Sequence, residues 1–147
     1  MIFIRSAQYS DLIRFSQLDN QAHIRDFFRH KSLEVHQKDF RSESIVYLSI
    51  IDELGSVIGY FILQLENDEK TINFKRILVA YDHLGVGQRA ISSMEDYCKN
   101  KFEVNRIWLD LYENNHKAKH IYEKLGYKQF KNEATSPRSI LYYEKWL

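Results

Sequence analysis

The sequence predicts a single α/β domain over residues 1–147, a mixed central sheet flanked by helices. Three observations carry this expectation. Runs rich in β-formers recur at 44–51, 57–65, 71–79 and 105–112, and segments of helical period alternate with them. The chain of 147 residues, 44% of them hydrophobic, has the size and composition of one buried core. The predicted element order is β-αα-βββ-α-β-α-ββ around one sheet.

Residues 1–5 (MIFIR) read as a short opening strand. Leu12, Ile13, Phe15 and Leu18 then recur at helical spacing across 11–18. Residues 20–43 are rich in charge and carry His23, His30 and His36, which predicts one or two short helices with loops. Residues 44–51 and 57–65 form a hairpin about the turn 52–56 (DELGS). Residues 67–70 turn the chain into a third strand, 71–79. Helix 86–102 gathers Ala90, Ile91, Met94, Tyr97 and Cys98 on one stripe. Strand 105–112 follows, and the crossover between it and strand 71–79 is expected to be parallel and right-handed. Helix 116–125 and closing strands 127–130 and 139–146 end the chain, with Pro137 in the polar connection between those strands.

Net charge is +1, so no global basic excess argues for nucleic acid. Charge is uneven, however: residues 1–70 hold 8 Lys/Arg against 11 Asp/Glu, and residues 71–147 hold 13 against 9. This fits an anionic ligand on the second half and a cationic one on the first. Cys98 stands alone, so no disulfide framework or thiolate metal cluster is expected. Its place on the helix stripe reads as core. No window has the 18 apolar residues of a membrane span, and the N-terminus lacks a signal-peptide pattern, so a cytoplasmic protein is expected.

Two segments carry chemistry. In ILVAYDHLGVGQRAI (77–91) a strand enters a glycine loop that opens a helix. The free N–H groups of a first helical turn, aided by the helix dipole, favour a phosphate. Gln88-Arg89 after the last glycine rules out the P-loop pattern, and two glycines past mid-chain do not make a Rossmann fingerprint. The plainer alternative is a tight strand-to-helix turn. In NRIWLDLYENNHKAKHIYEKLGY (105–127), Asn115 suits a helix N-cap and Gly126 the position after its end. Tyr122 shares a face with Ala118, Ile121 and Leu125, and so points at the sheet. It is either a proton donor or a core tyrosine with a satisfied hydroxyl.

On the strand before it, Ile107, Leu109 and Leu111 alternate with Trp108, Asp110 and Tyr112. A carboxylate there must be paired, border a cavity or have a raised pKa. Asp110 could accept a proton, or could be a structural partner of Lys75 or Arg76. The three histidines match no zinc spacing. They read as surface residues of mobile helices; the alternative is that one of them lines an acceptor cleft.

Together these residues resemble the GNAT superfamily of acyl-coenzyme A N-acyltransferases, over roughly residues 44–131. The matching motif is Asn115, Ala118, Tyr122, Glu123, Lys124, Gly126 and Tyr127, preceded by the strand R-I-W-L-D-L. The family usually has Phe where Tyr127 stands. Gly85 and Gly87 match its phosphate loop, but Asp82 occupies a position usually held by Arg or Gln. That change removes a side-chain contact and leaves the backbone donors. The block is most similar to the branch acting on ribosomal-protein N-termini, amino sugars and polyamines.

The resemblance implies acetyl-CoA as acyl donor, no metal, and a primary amine, small-molecule or peptide, as acceptor. It implies a diphosphate on the amides of Leu84, Gly85, Val86, Gly87, Gln88 and Arg89. The pantetheine arm would run along strand 71–79, and an N–H among Ile77, Leu78 and Val79 would hold the oxyanion. Asn115 and Ala118 would flank the cofactor. Asp110 would take the amine's proton through water, and Tyr122 would protonate the leaving thiolate. The acceptor pocket would come from residues 20–43 and 131–138, in a monomer or homodimer that binds neither nucleic acid nor membrane. The competing expectations are a non-catalytic acyl-CoA-binding sensor or partner module and, more distantly, an unrelated nucleotide-binding domain.

Overall fold

A computed structural model of the chain describes residues 1–21, 31–80, 85–134 and 139–147. Its elements are β1 (Ile2–Ser6), α1 (Asp11–Asp19), α2 (Leu33–Phe40), β2 (Ile45–Asp52), β3 (Val57–Leu65), β4 (Thr71–Val79), α3 (Val86–Phe102), β5 (Arg106–Tyr112), α4 (His116–Lys124), β6 (Lys128–Ala134) and β7 (Ser139–Trp146). The expected order is present. The sixth strand runs further than predicted, because Tyr127 is buried ahead of it and the polar run 128–134 pairs with β7 along its length.

Seven strands form one sheet in the order β1-β2-β3-β4-β5-β7-β6. Neighbours are antiparallel except β4 and β5, which are parallel as the crossover through α3 requires. Gly59 on β3 has a packing reason. A Cβ there would stand 2.2 Å from the Leu78 carbonyl oxygen, so only glycine lets these two strands approach as they do.

Each face of the sheet has its own core. On one face α3 buries Ala90, Ile91, Met94 and Cys98 against Phe61, Leu63, Ile72, Phe74, Ile107 and Leu109. On the other, α1 buries Leu12, Phe15 and Leu18 against Tyr47, Tyr60, Ile62 and Leu78. Asp11 anchors the start of α1. Its carboxylate accepts from Arg5 at 2.7 Å, the Gln8 amide at 2.9 Å and the Ser49 hydroxyl at 2.9 Å.

His36 corrects the surface reading of the histidines. It is fully buried on α2, with Nε2 2.7 Å from Asp19 and Nδ1 2.8 Å from the Tyr47 hydroxyl. The Asp19 carboxylate can only accept when ionised, so Nε2 carries the hydrogen, and a neutral ring then accepts from Tyr47. Tyr60 donates to the other Asp19 oxygen. The position is legible afterwards: His36 lies three residues after Leu33 and four before Phe40, on the apolar stripe of its helix. His23 and His30 lie outside the described residues.

Candidate active site

The parallel ladder of β4 and β5 is short. Thr71, Ile72 and Asn73 pair with Arg106, Ile107 and Trp108, and no pairing follows. Beyond it the strands part. A bulge marks the departure: Phe74 faces Leu63 and Arg76 faces Ile62, which leaves Lys75 as the extra residue. The parted strands open a cavity of about 330 Å³ lined by residues 74–77, 109–112, Asn115, Ala118, Tyr122 and Ile140.

Main-chain polarity along this opening follows from strand geometry. The Ala80 amide donates to the Ile58 carbonyl on β3, so Leu78 and Arg76 also turn their polar groups toward β3. Ile77 and Val79, between them, turn theirs toward the gap left by β5. Of the three residues expected to contribute an amide, Ile77 and Val79 therefore front the opening. Leu78 does not, and its side chain is buried in the α1-side core.

Tyr122 reaches the cavity from the α3 side of the sheet. Asn115 caps its helix, accepting from the Ala118 amide at 3.2 Å. The Tyr122 ring stands edge-on to Phe74 (centroids 5.9 Å) and to Tyr127 (5.5 Å). No hydrogen bond joins its hydroxyl to any described residue. Among the described residues no buried side-chain oxygen or nitrogen is left without a partner, so this hydroxyl is open to the cavity it lines. Burial pushes its pKa up to about 12, which keeps the phenol protonated at neutral pH.

Asp110 lies on the opposite face, because Ile107, Leu109 and Leu111 occupy the α3 side. Desolvation raises its pKa, with the nearby Lys75 ammonium pulling the other way. Of the two cations offered as alternative structural partners, Arg76 makes no ion pair with Asp110. Arg76 instead lies 3.8 Å from Asp19 and donates to the Tyr60 hydroxyl at 3.4 Å. Other carboxylates on the Asp110 face have donors of their own: Trp108 donates to Glu66, and Arg106 to Glu144 at 2.7 Å.

The glycine loop leads into α3. Gly85 holds a left-handed φ of 72° as the N-cap residue and provides no side-chain cap. The first helical bond runs from the Arg89 amide to the Gly85 carbonyl at 3.0 Å. The helix begins at Val86, so the amides of Val86, Gly87 and Gln88 stand outside its ladder. Among the described residues nothing lies within 4 Å of where a Gly87 Cβ would be. Amides free of the helix ladder suit the oxygens of a diphosphate. The Arg89 amide is already used, which leaves only its exposed side chain for such a ligand. Leu84 and Asp82 lie outside the described residues.

The Acetyltransferase (GNAT) family matches residues 12–127, and the chain belongs to this family and is an N-acetyltransferase. Among curated proteins it is similar to the [ribosomal protein bS18]-alanine N-acetyltransferase of Haemophilus influenzae. The two are 28% identical over 129 residues, 88% of this chain and 83% of the other. Among solved structures it is similar in fold to aminoglycoside acetyltransferase AAC(6')-Ib in complex with coenzyme A and kanamycin. That match has TM-score 0.82 and 20% identity and covers 99% of this chain and 95% of the other. A spermidine N-acetyltransferase from Vibrio cholerae has TM-score 0.79 and 18% identity over 99% and 93%.

Two polar clusters near the site were not anticipated. One is the Asp19–His36–Tyr47–Tyr60 group behind Arg76. The other joins Tyr127, Glu95 and Lys145 behind Tyr122. Hydrophobic periodicity treats Tyr and His as neutral, so neither cluster gave a signal, apart from the Tyr at the family's usual Phe position. No described helix is long and apolar enough to cross a membrane.

Proposed function

We propose that this chain transfers an acetyl group from acetyl-CoA to a primary amine by direct attack within a ternary complex. One observation carries the reading. The opening between β4 and β5 is lined from one face of the sheet by Tyr122 and from the other by Asp110. A thioester threaded through it would have its sulfur beside the phenol and its carbonyl toward the carboxylate's side.

Acetyl-CoA supplies an activated acyl group when bound. The chain's residues do the rest. The amides of Val86, Gly87 and Gln88 hold the diphosphate, with Asn115 and Ala118 flanking the arm that runs to the reacting centre. Ile77 and Val79 offer main-chain donors along the parted strand, one of them to the developing oxyanion. Asp110 accepts the proton an ammonium must lose before it can attack, directly or through water. Tyr122, protonated across the neutral range, gives its proton to the departing thiolate. The site needs no enzyme nucleophile, and buried Cys98, its thiol pushed up to about 12 by burial and by Glu95, stays out of the chemistry.

The acceptor is an amine. The first panel to test is spermidine, kanamycin and a peptide with N-terminal alanine, the acceptors to which the similar proteins point. Thiol release from acetyl-CoA is measured for wild type and Tyr122→Phe. The variant should lose about 100-fold or more in turnover while its calorimetric affinity for acetyl-CoA stays within about twofold. Equal turnover in the two proteins would remove Tyr122 from the mechanism.

A further inference from the structure

Tyr127 stands where the family motif carries Phe, and its hydroxyl is buried and engaged. The residue is 1% exposed, and its hydroxyl donates to Glu95 Oε2 at 2.8 Å. Glu95, itself 7% exposed, takes a second bond from Lys145 Nζ to Oε1, also at 2.8 Å. Three elements meet here: α3 through Glu95, the end of α4 through Tyr127, and β7 through Lys145. A buried carboxylate costs stability unless it is paired and hydrogen-bonded, and this one is both. Such a fixed point holds whatever is attached to it.

Tyr122 is attached to it twice. The Tyr127 amide donates to the Tyr122 carbonyl at 2.9 Å, across the left-handed Gly126 (φ 97°). The two rings also meet edge to face, at 5.5 Å and 71°. Tyr122 also meets the edge of Phe74 and packs against the α3-side core. Its hydroxyl has no bond to a described residue, so no described residue fixes the polar end of the side chain. Tyr127 supplies the missing constraint from behind. A phenylalanine there would keep the ring contact but lose the tie to α3 and β7.

We propose that Tyr127, held by the Glu95–Lys145 pair, is a positioning residue that sets the Tyr122 phenol at the sulfur side of the opening. The inference rests on the assignment of Tyr122 as the acid. Its test is built so that the two fail separately.

The experiment compares Tyr127→Phe, Tyr122→Phe and the double variant, using acetyl-CoA with the best acceptor of the three-amine panel. Tyr127→Phe should lower kcat about three- to tenfold and leave KM for acetyl-CoA within about twofold. In the Tyr122→Phe background the same change should have no further effect, because a brace has nothing left to position. Glu95→Gln keeps an acceptor for the Tyr127 hydroxyl and should recover most of the wild-type kcat. A second readout needs no acceptor: in protein labelled at tyrosine Cζ with carbon-13, the Tyr122 signal should shift or broaden in Tyr127→Phe. An unchanged kcat with an unchanged Tyr122 signal overturns the brace, and so does a rate loss that persists undiminished in the double variant. A Tyr122→Phe enzyme as fast as wild type overturns the acid assignment instead, whatever Tyr127→Phe does.

Discussion

At the scale of single residues, the role proposed for Asp110 would set function against stability. Desolvation raises its pKa in the folded chain, with Lys75 opposing. A raised folded value means the carboxyl is harder to ionise folded than unfolded. Its contribution to stability is therefore complete below the ordinary carboxylate range and is lost as pH climbs through the folded value. At neutral pH the charge is a burden on the fold. Asp110→Asn should accordingly raise Tm at about pH 7, and the gain should vanish near pH 3, where both proteins are uncharged at this position. The same change should lower kcat/KM for an amine about 100-fold. It should also remove an acidic limb that lies above the ordinary carboxylate range in wild type. Calorimetric melts and a pH–rate profile of both proteins check this. A variant that is both less stable and fully active would show the carboxylate to be a structural ion-pair partner of Lys75.

At the scale of elements, α4 is the exposed piece that carries the phenol. None of its residues is fully buried, so its cap matters more than in a helix held by a core. Asn115→Ala removes the bond to the Ala118 amide and should cost about 1 kcal/mol. Amide exchange should quicken in residues 116–124 while β2 and β3 keep their protection. Uniform quickening across the sheet would mean that α4 and the sheet open as one unit. Much of this element was legible in the chain. Asn115 and Gly126 marked its ends, and the spacing of Ala118, Tyr122 and Leu125 aimed it at the sheet. Strand alternation likewise placed Asp110 on the face opposite Leu109 and Leu111. The parting of β4 from β5 was not legible, since the Lys75 bulge is a matter of pairing register and leaves no mark in TINFKRILV. The turning of Leu78 toward β3 follows from that register too. The buried state of His36 was missed because its partners, Asp19 and Tyr47, lie 17 and 11 positions away.

At the scale of the whole molecule, the sheet separates two cores that do different work. The α3 side carries the first-turn amides of α3 and the Tyr122 phenol. The α1 side carries a buried polar cluster that joins α1, α2, β2, β3 and β4. Asp19 is its centre, 2% exposed, accepting from His36 and from Tyr60. Removing it by Asp19→Ala leaves the His36 N–H and the Tyr60 hydroxyl buried without an acceptor, at about 1–3 kcal/mol each. A total loss near 3 kcal/mol is expected from urea unfolding. Asp19→Asn keeps one carbonyl oxygen for the two donors, so its loss should fall between those of wild type and Asp19→Ala. Because the cluster lies across the sheet from the Val86–Gln88 amides, the folded Asn variant should bind acetyl-CoA as wild type does while losing affinity for the amine. If both affinities fell together, the two faces would be coupled through β4, and the sheet would be a shared frame for donor and acceptor binding.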